Sequence, residues 1–341
     1  MKIHLLCFFI LISIFTSCKR NADQDRIFNP ADLYIAGDLF DNNRTVPVYW
    51  NNNVKTVLPI GNSANSGFTR CIKVIGTDVY IAGGESDSNG FSVPVLWKNG
   101  VRTVLPTEEP RATANGMYVS GTDVYVVGAE QNAANTMRYP VLWKNGIRTR
   151  LTPAGVGGEA FSVVASGQNV YICGGWNENN QGFPVVWNNG SRSLLSTTVT
   201  GVGYSIYLSG NDVYVSGADI AFNSMSPVYW KNGVKVNLPI DLSMDYGMAA
   251  DIKVSNNDIY VVGGESRLNS AHTRAIIWKN GPRSQLATQY NSTAIAISLF
   301  IAGSDIFISG SDAGHPTYWK NGELFILSDI HGSAMSVTGR Q

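Results

Sequence analysis

From residue 33 onward the chain alternates short apolar runs with tight polar breaks, and one pattern returns every 43 to 47 residues. A Tyr or Phe flanked by apolar or small residues recurs at Tyr34, Tyr80, Tyr125, Tyr171, Tyr214, Tyr260 and Phe307. A Trp follows in step at Trp50, Trp97, Trp143, Trp187, Trp230, Trp278 and Trp319, and only Trp176 lies outside that series. Each unit parses into four extended segments. In the second unit these are Thr69–Ile75, Asp78–Gly83, Val93–Lys98 and Val101–Leu105. The middle two are apolar on both faces, as expected of strands sandwiched between neighbouring sheets. Asn-Gly pairs such as Asn99-Gly100 and Asn145-Gly146 supply the two positive-φ positions of a tight hairpin after each Trp. Repeats of 40 to 50 residues carrying four short strands predict an all-β fold, a seven-bladed β-propeller of four-stranded antiparallel blades. The first unit lacks a first strand, whereas Ala334–Gly339 matches that strand with nothing after it. A 1+3 closure is therefore predicted, the C-terminal strand completing blade 1 and removing a free edge.

The N-terminus reads differently. Lys2 and His4 precede an apolar run, Leu5 to Phe15, which spans only about 16 Å as a helix against a ~30 Å hydrocarbon core, so it predicts a cleaved signal rather than a span. Phe15-Thr16-Ser17-Cys18 resembles the lipobox of bacterial lipoproteins, which implies cleavage after residue 17 and acylation of Cys18. The division is then 1–17 signal, 18–30 acylated Cys and polar tether, and 31–341 propeller. Acyl chains would hold the protein to a lipid membrane, and Lys19 after the Cys implies an outer-membrane lipoprotein.

Charge narrows the partners. With 25 Lys+Arg against 25 Asp+Glu, nucleic acid is excluded as a ligand by bulk electrostatics, and a monomer is expected. Lys98, Lys144, Lys231, Lys279 and Lys320, with Arg102, Arg148, Arg192, Lys235 and Arg283, are read as a solvated basic rim. Cys71 and Cys173 lie in different repeats and are read as unbridged apolar residues.

Tyr80-Ile81-Ala82-Gly83-Gly84, with Gly174-Gly175 and Gly263-Gly264, resembles the double-glycine strand of kelch-type propellers. The kelch spacing of Tyr and Trp is not reproduced, and Trp-Lys-Asn-Gly takes its place. The resemblance implies a kelch-like ring and no particular activity.

Candidate chemistry falls on the longer loops of one face. Acidic residues follow the second strand at Glu85, Glu130, Asp219, Glu265 and Asp312, and pointed at the axis they would form a negative ligand-binding collar. Trp176, beside Asn177, Asn179 and Asn180, is the expected glycan-stacking residue, and Phe161, Tyr204, Tyr246 and Phe68 also depart from the repeat. His272, His315 and His331 cluster in the last units and are the candidate ligands of a divalent metal, the one cofactor considered. No Gly-x-Ser-x-Gly motif is present. The expectation is a non-catalytic binding or scaffold module for a glycan or protein ligand; the alternative is a metal-dependent hydrolase or lyase at the three histidines.

Overall fold

The structure is a computed structural model that describes residues 32–340 apart from positions 63, 88, 180, 222–223, 269–271 and 290–292. The signal segment, Cys18, the tether and Asn180 lie outside the described residues.

The chain runs through β1 (Leu33–Asp41), β2 (Arg44–Asn51), β3 (Val54–Val57), β4 (Ala64–Ile75), β5 (Asp78–Asp87), β6 (Ser92–Lys98) and β7 (Val101–Val104). It continues through β8 (Arg111–Ser120), β9 (Asp123–Gln131), β10 (Arg138–Lys144), β11 (Ile147–Arg150), β12 (Gly157–Ser166), β13 (Asn169–Glu178), β14 (Gln181–Asn188) and β15 (Ser191–Leu194). Then come β16 (Gly201–Ser209), β17 (Asp212–Ala221), β18 (Ser224–Lys231), β19 (Val234–Asn237), β20 (Tyr246–Ser255), β21 (Asp258–Ser266), β22 (Thr273–Lys279) and β23 (Arg283–Gln285). The last five are β24 (Ala294–Ala302), β25 (Asp305–Asp312), β26 (His315–Lys320), β27 (Glu323–Ile326) and β28 (Gly332–Gly339).

These strands form four-stranded antiparallel sheets, each built from one sequence unit, with one difference from the expected set of separate sheets. The fifth and sixth units share an eight-stranded sheet, because Met225 of β18 makes a single parallel pairing with Tyr246 of β20. The sheet that contains the first unit runs β28-β1-β2-β3. The first strands β4, β8, β12, β16, β20, β24 and β28 each touch the next in a closed circuit, so they occupy the inside, and the short fourth strands lie outermost.

A bulge sits at one equivalent place in every first strand, leaving Arg70, Asn115, Phe161, Tyr204, Ala250, Ile297 and Met335 without a partner in register. It swings a carbonyl over the second strand, so that a Cβ placed on Gly83, Gly128, Gly174, Gly263 or Gly310 would lie 1.9 to 2.1 Å from that oxygen. This close approach explains the first glycine of the double-glycine motif. The second differs between units: Gly175 has nothing nearer than a Val202 methyl at 3.9 Å, whereas a Cβ on Gly84 would meet the Phe68 ring at 2.6 Å and the Val93 carbonyl at 2.9 Å.

The seven repeat Trp side chains are at most 1% exposed. Four also latch neighbouring units: the indole N–H of Trp97, Trp143 and Trp278 donates to the carbonyls of Pro59, Pro106 and Pro239, and that of Trp319 to Ala287, at 2.7–2.8 Å. The Leu before each of those Pro residues is buried and donates its N–H to the carbonyl of the third-strand Pro, as Leu105 does to Pro94 at 3.0 Å. In a strand a residue's N–H and C=O point to the same side, so the missing proline N–H falls where the fourth strand departs, which ends that strand.

Around the inside, polar side chains just past three of the bulges accept backbone N–H groups from the adjacent first strand. Ser336 Oγ accepts from Ile72 N at 3.3 Å, Ser298 Oγ from Val337 N at 3.4 Å, and Asp251 from Leu299 N at 2.8 Å. Cys71 donates its thiol to Met117 O at 3.6 Å, and both Cys71 and Cys173 are unbridged, burial pushing the Cys173 thiol well above its usual range. Asp251 is pushed up by burial, but the Lys253 ammonium, the Ser205 hydroxyl and Leu299 N–H outweigh that and hold its carboxyl below the usual range.

Gly128→Ala drives a methyl group into the Thr113 carbonyl and is expected to cost ~3 kcal/mol or more. Gly146→Ala, at φ +81 in open space, is expected to cost ~1 kcal/mol. Thermal unfolding of both variants measures the difference, and equal losses would remove the close approach as the cause.

Candidate functional site

The acidic residues after the second strands do not form a collar. Glu85, Glu130 and Glu265 are at most 2% exposed and make paired contacts with the guanidinium groups of Arg102, Arg148 and Arg283 on the fourth strand of the same unit, at 2.5 to 2.8 Å. Their oxygens also accept backbone N–H groups from the preceding connection: Gly61 for Glu85 and Glu108 for Glu130, at 3.1 and 3.2 Å. Asp219 pairs with Lys235 at 2.6 Å, and the buried Asp312 accepts from Gln289 N at 2.7 Å. A buried carboxylate needs a partner, and strand alternation aims it across the sheet at the fourth strand rather than at the axis.

Trp176 occupies this same position in the fourth unit. It is 6% exposed, so it offers no open face to a sugar; Arg192 lies over its ring at 4.2 Å and its indole donates to Glu178 at 3.1 Å. A cation–π contact here replaces the carboxylate–guanidinium pair of the second, third and sixth units.

The basic rim is also paired. Lys98, Lys144, Lys231, Lys279 and Lys320 reach Asp78, Asp123, Asp212, Asp258 and Asp305 at 2.8 to 3.1 Å, each ammonium above the Tyr or Phe ring of its unit. The turn Asn completes the set: Asn99 donates to Asp78 and accepts from Val79 N, both at 2.8 Å. Hydrogen bonds from the Lys and Asn hold these Asp carboxyls below the usual range.

Two of the three histidines come together. His315 stands opposite Asp312 in the β25–β26 pairing, and its ring centroid lies 4.9 Å from that of His331. His272 belongs to the β21–β22 connection of the preceding unit and is exposed. Among the described residues no three His, Cys, Asp or Glu side chains are grouped to hold a metal ion. The trio therefore does not assemble as the expected metal site, because repeat spacing places His272 one unit away.

A different constellation lies between the fourth and fifth units at the loop end of the sheets. A cleft of ≈ 310 Å³ is lined by Glu159, Phe161, Asn177, Thr200, Val202 and Ile220, together with Gly175, Gly182 and Gly201. Glu159 contacts Arg138 at 2.5 Å and accepts from Asn115 at 2.9 Å. Phe161 and Tyr204, neighbours at equivalent bulges, meet edge to face with centroids 5.6 Å apart. Burial, and then the Glu159 charge, push the Tyr204 hydroxyl above its usual range. Of these residues only the aromatics and Asn177 stood out in the sequence; Glu159 and Arg138 carry no motif, and only their departure from the other units marks them.

Across the ring, Asp38 accepts from the backbone N–H of Thr69 at 2.7 Å and lies 3.8 Å from Arg70. Burial pushes its carboxyl up to about 6, against the opposing pull of Thr69 and Arg70.

Many solved structures resemble the fold, among them the following three. The β-propeller domain of the Trilobed protease from Pyrococcus furiosus matches with TM-score 0.51 and 10% identity, over 88% of this chain and 95% of that one. An acylaminoacyl peptidase in complex with a chloromethyl ketone matches with TM-score 0.50 at 10% identity, and the Pyrococcus horikoshii acylaminoacyl peptidase with TM-score 0.48 at 10% identity. This chain spans 88% of its own length in both but only 51% of theirs. No protein-family model matches the chain, and no curated protein matches it in sequence. The fold is thereby a β-propeller. The expectation of a non-catalytic binding or scaffold module is set against neighbours that are a protease's propeller domain and a peptidase, a likeness that at 10% identity shows the fold alone.

The raised Asp38 carboxyl makes a pH prediction. The folded state holds this proton more tightly than the unfolded chain, so its contribution is full below pH ~4 and is lost as pH rises to about 6. The loss is about 3 kcal/mol. Asp38→Asn is expected to raise the melting temperature at pH 7 and leave it unchanged at pH 4; an equal effect at both would show that Asp38 does not titrate in this window.

Proposed function

We propose that this chain serves peptide hydrolysis, as the ring that admits and orients peptide substrate for a peptidase. The observation that carries this reading is the cleft between the fourth and fifth units. Its Phe161, Val202 and Ile220 walls suit an apolar side chain, its three lining glycines leave room for an extended peptide, and Glu159, paired with Arg138, places a carboxylate on the lining. The likeness to a whole protease propeller domain supports the same reading.

We further propose seven blades with 1+3 closure, kelch-like in their glycine-bearing second strands. Seven repeat Trp residues, the sheet order β28-β1-β2-β3 and the circuit of first strands support it. The address proposed is an outer-membrane lipoprotein, acylated at Cys18 after removal of residues 1–17, with 18–30 as tether and 31–341 as the propeller; Leu5–Phe15 and Thr16-Ser17-Cys18 support it.

Two measurements bear on these readings. Fluorescence anisotropy with a labelled tetrapeptide containing one Phe is expected to register binding that weakens about tenfold, or ~1.4 kcal/mol, in Phe161→Ala. No binding, or equal binding by the variant, removes the cleft as a peptide site. Deleting residues 334–341 strips β28 from β1 and its bridges to Ile72 and Ser298, and limited proteolysis is expected to cut the truncated chain far faster than the parent. Equal resistance would sink the closure.

A further inference from the structure

The described chain starts at Asp32, and the start of β1 fixes the face from which residues 1–31 leave. Leu33 pairs with Gly339, its carbonyl accepts from Asn52 of the β2–β3 turn at 3.1 Å, and Asp32 forms an ion pair with Arg340 at 3.5 Å. The exit is therefore on the face of the tight turns, opposite the longer loops and the cleft.

That same face carries apolar knobs on its outer edge. The residue directly after the hairpin turn is Val54 in the first unit, Val101 in the second and Ile147 in the third, and these are 69%, 68% and 74% exposed. Val57 and Val104, three residues further along β3 and β7, are also exposed but on the opposite side of their strands. Lys98 and Lys144 stand just before the turns, half exposed, with Lys55 exposed beside Val54. The fifth unit carries Val234 at the matching position, 68% exposed, while the fourth, sixth and seventh carry Ser191, Pro282 and Glu323, so the longest run of knobs is the three adjacent ones that start at the unit from which the chain exits.

We propose that the turn face of the first three units seats on the lipid bilayer, and that the cleft-bearing loop face is held away from it. The inference rests on the acyl anchor proposed above. Cys18 to Asp32 spans fourteen residues, a reach of at most about 50 Å, enough for the anchor and the patch to meet one membrane surface. β-branched side chains enter the headgroup boundary, and Lys55 beside Val54 extends an apolar stem while keeping its ammonium at the phosphates. The orientation leaves the cleft open to substrate in the aqueous compartment.

The test uses the full acylated chain in vesicles of phosphatidylethanolamine and phosphatidylglycerol, with bimane attached at Val101→Cys, at Ile147→Cys or, on the opposite face, at the fully exposed Leu242→Cys. The unsubstituted chain corrects for labelling of Cys71 and Cys173. Brominated lipids are expected to quench the labels at 101 and 147 several-fold more than the label at 242. Equal quenching, or stronger quenching at 242, overturns the orientation and leaves the anchor standing. If the parent floats with vesicles no better than Cys18→Ser, the anchor reading falls and the orientation falls with it.

Discussion

The bulge in each innermost strand is the constraint on which the rest of this propeller depends. It forces a carbonyl over the second strand, and only glycine leaves room beneath it, which is why Gly83, Gly128 and their equivalents recur where a strand would otherwise favour a β-branched residue. The same irregularity releases one residue per unit from the ladder and turns the next polar side chain toward the neighbouring unit. Ser298, Ser336 and Asp251 thereby become bridges around the ring, and the C-terminal strand is tied in through the bridge to Ile72.

Away from the axis, most of the charge is consumed by structure. Each recurrent Asp is held by a Lys and a turn Asn, and each recurrent Glu by an Arg across the sheet. The Glu–Arg pairs, whose carboxylates are buried, specify which strand meets which more than they add net stability, but losing the Arg would strand the Glu in a poor solvent. The consequence for function is that the repeated charges are already satisfied, and a site must be sought where the units differ. The fourth and fifth units differ most: Trp176 replaces the carboxylate, Phe161 and Tyr204 fill adjacent bulges, and Glu159 with Arg138 stands beside the cleft they border.

The shared sheet of the fifth and sixth units, and the pairing of His315 with His331 but not with His272, show how inter-unit geometry edits a repeat. A one-residue pairing between Met225 and Tyr246 depends on how two connections happen to approach, which repeat spacing does not encode. The histidines looked grouped because they fall late in the chain; in a propeller, residues one repeat apart sit on different units, and proximity in sequence is a poor guide to proximity in space.

The all-β character, the four-strand unit and its turns were legible in the sequence, because they follow from local rules: apolar runs at strand length, Asn-Gly at positive φ, and Trp at a fixed step. The direction of each polar side chain was not. Whether Glu85 faces the axis or Arg102, and whether Trp176 meets solvent or a guanidinium, depends on the pleat, the bulge and the neighbouring strand. The cleft is likewise a product of tertiary structure: Glu159, Phe161, Asn177, Val202 and Ile220 come from strands of two units, and only packing those sheets side by side brings them to one place.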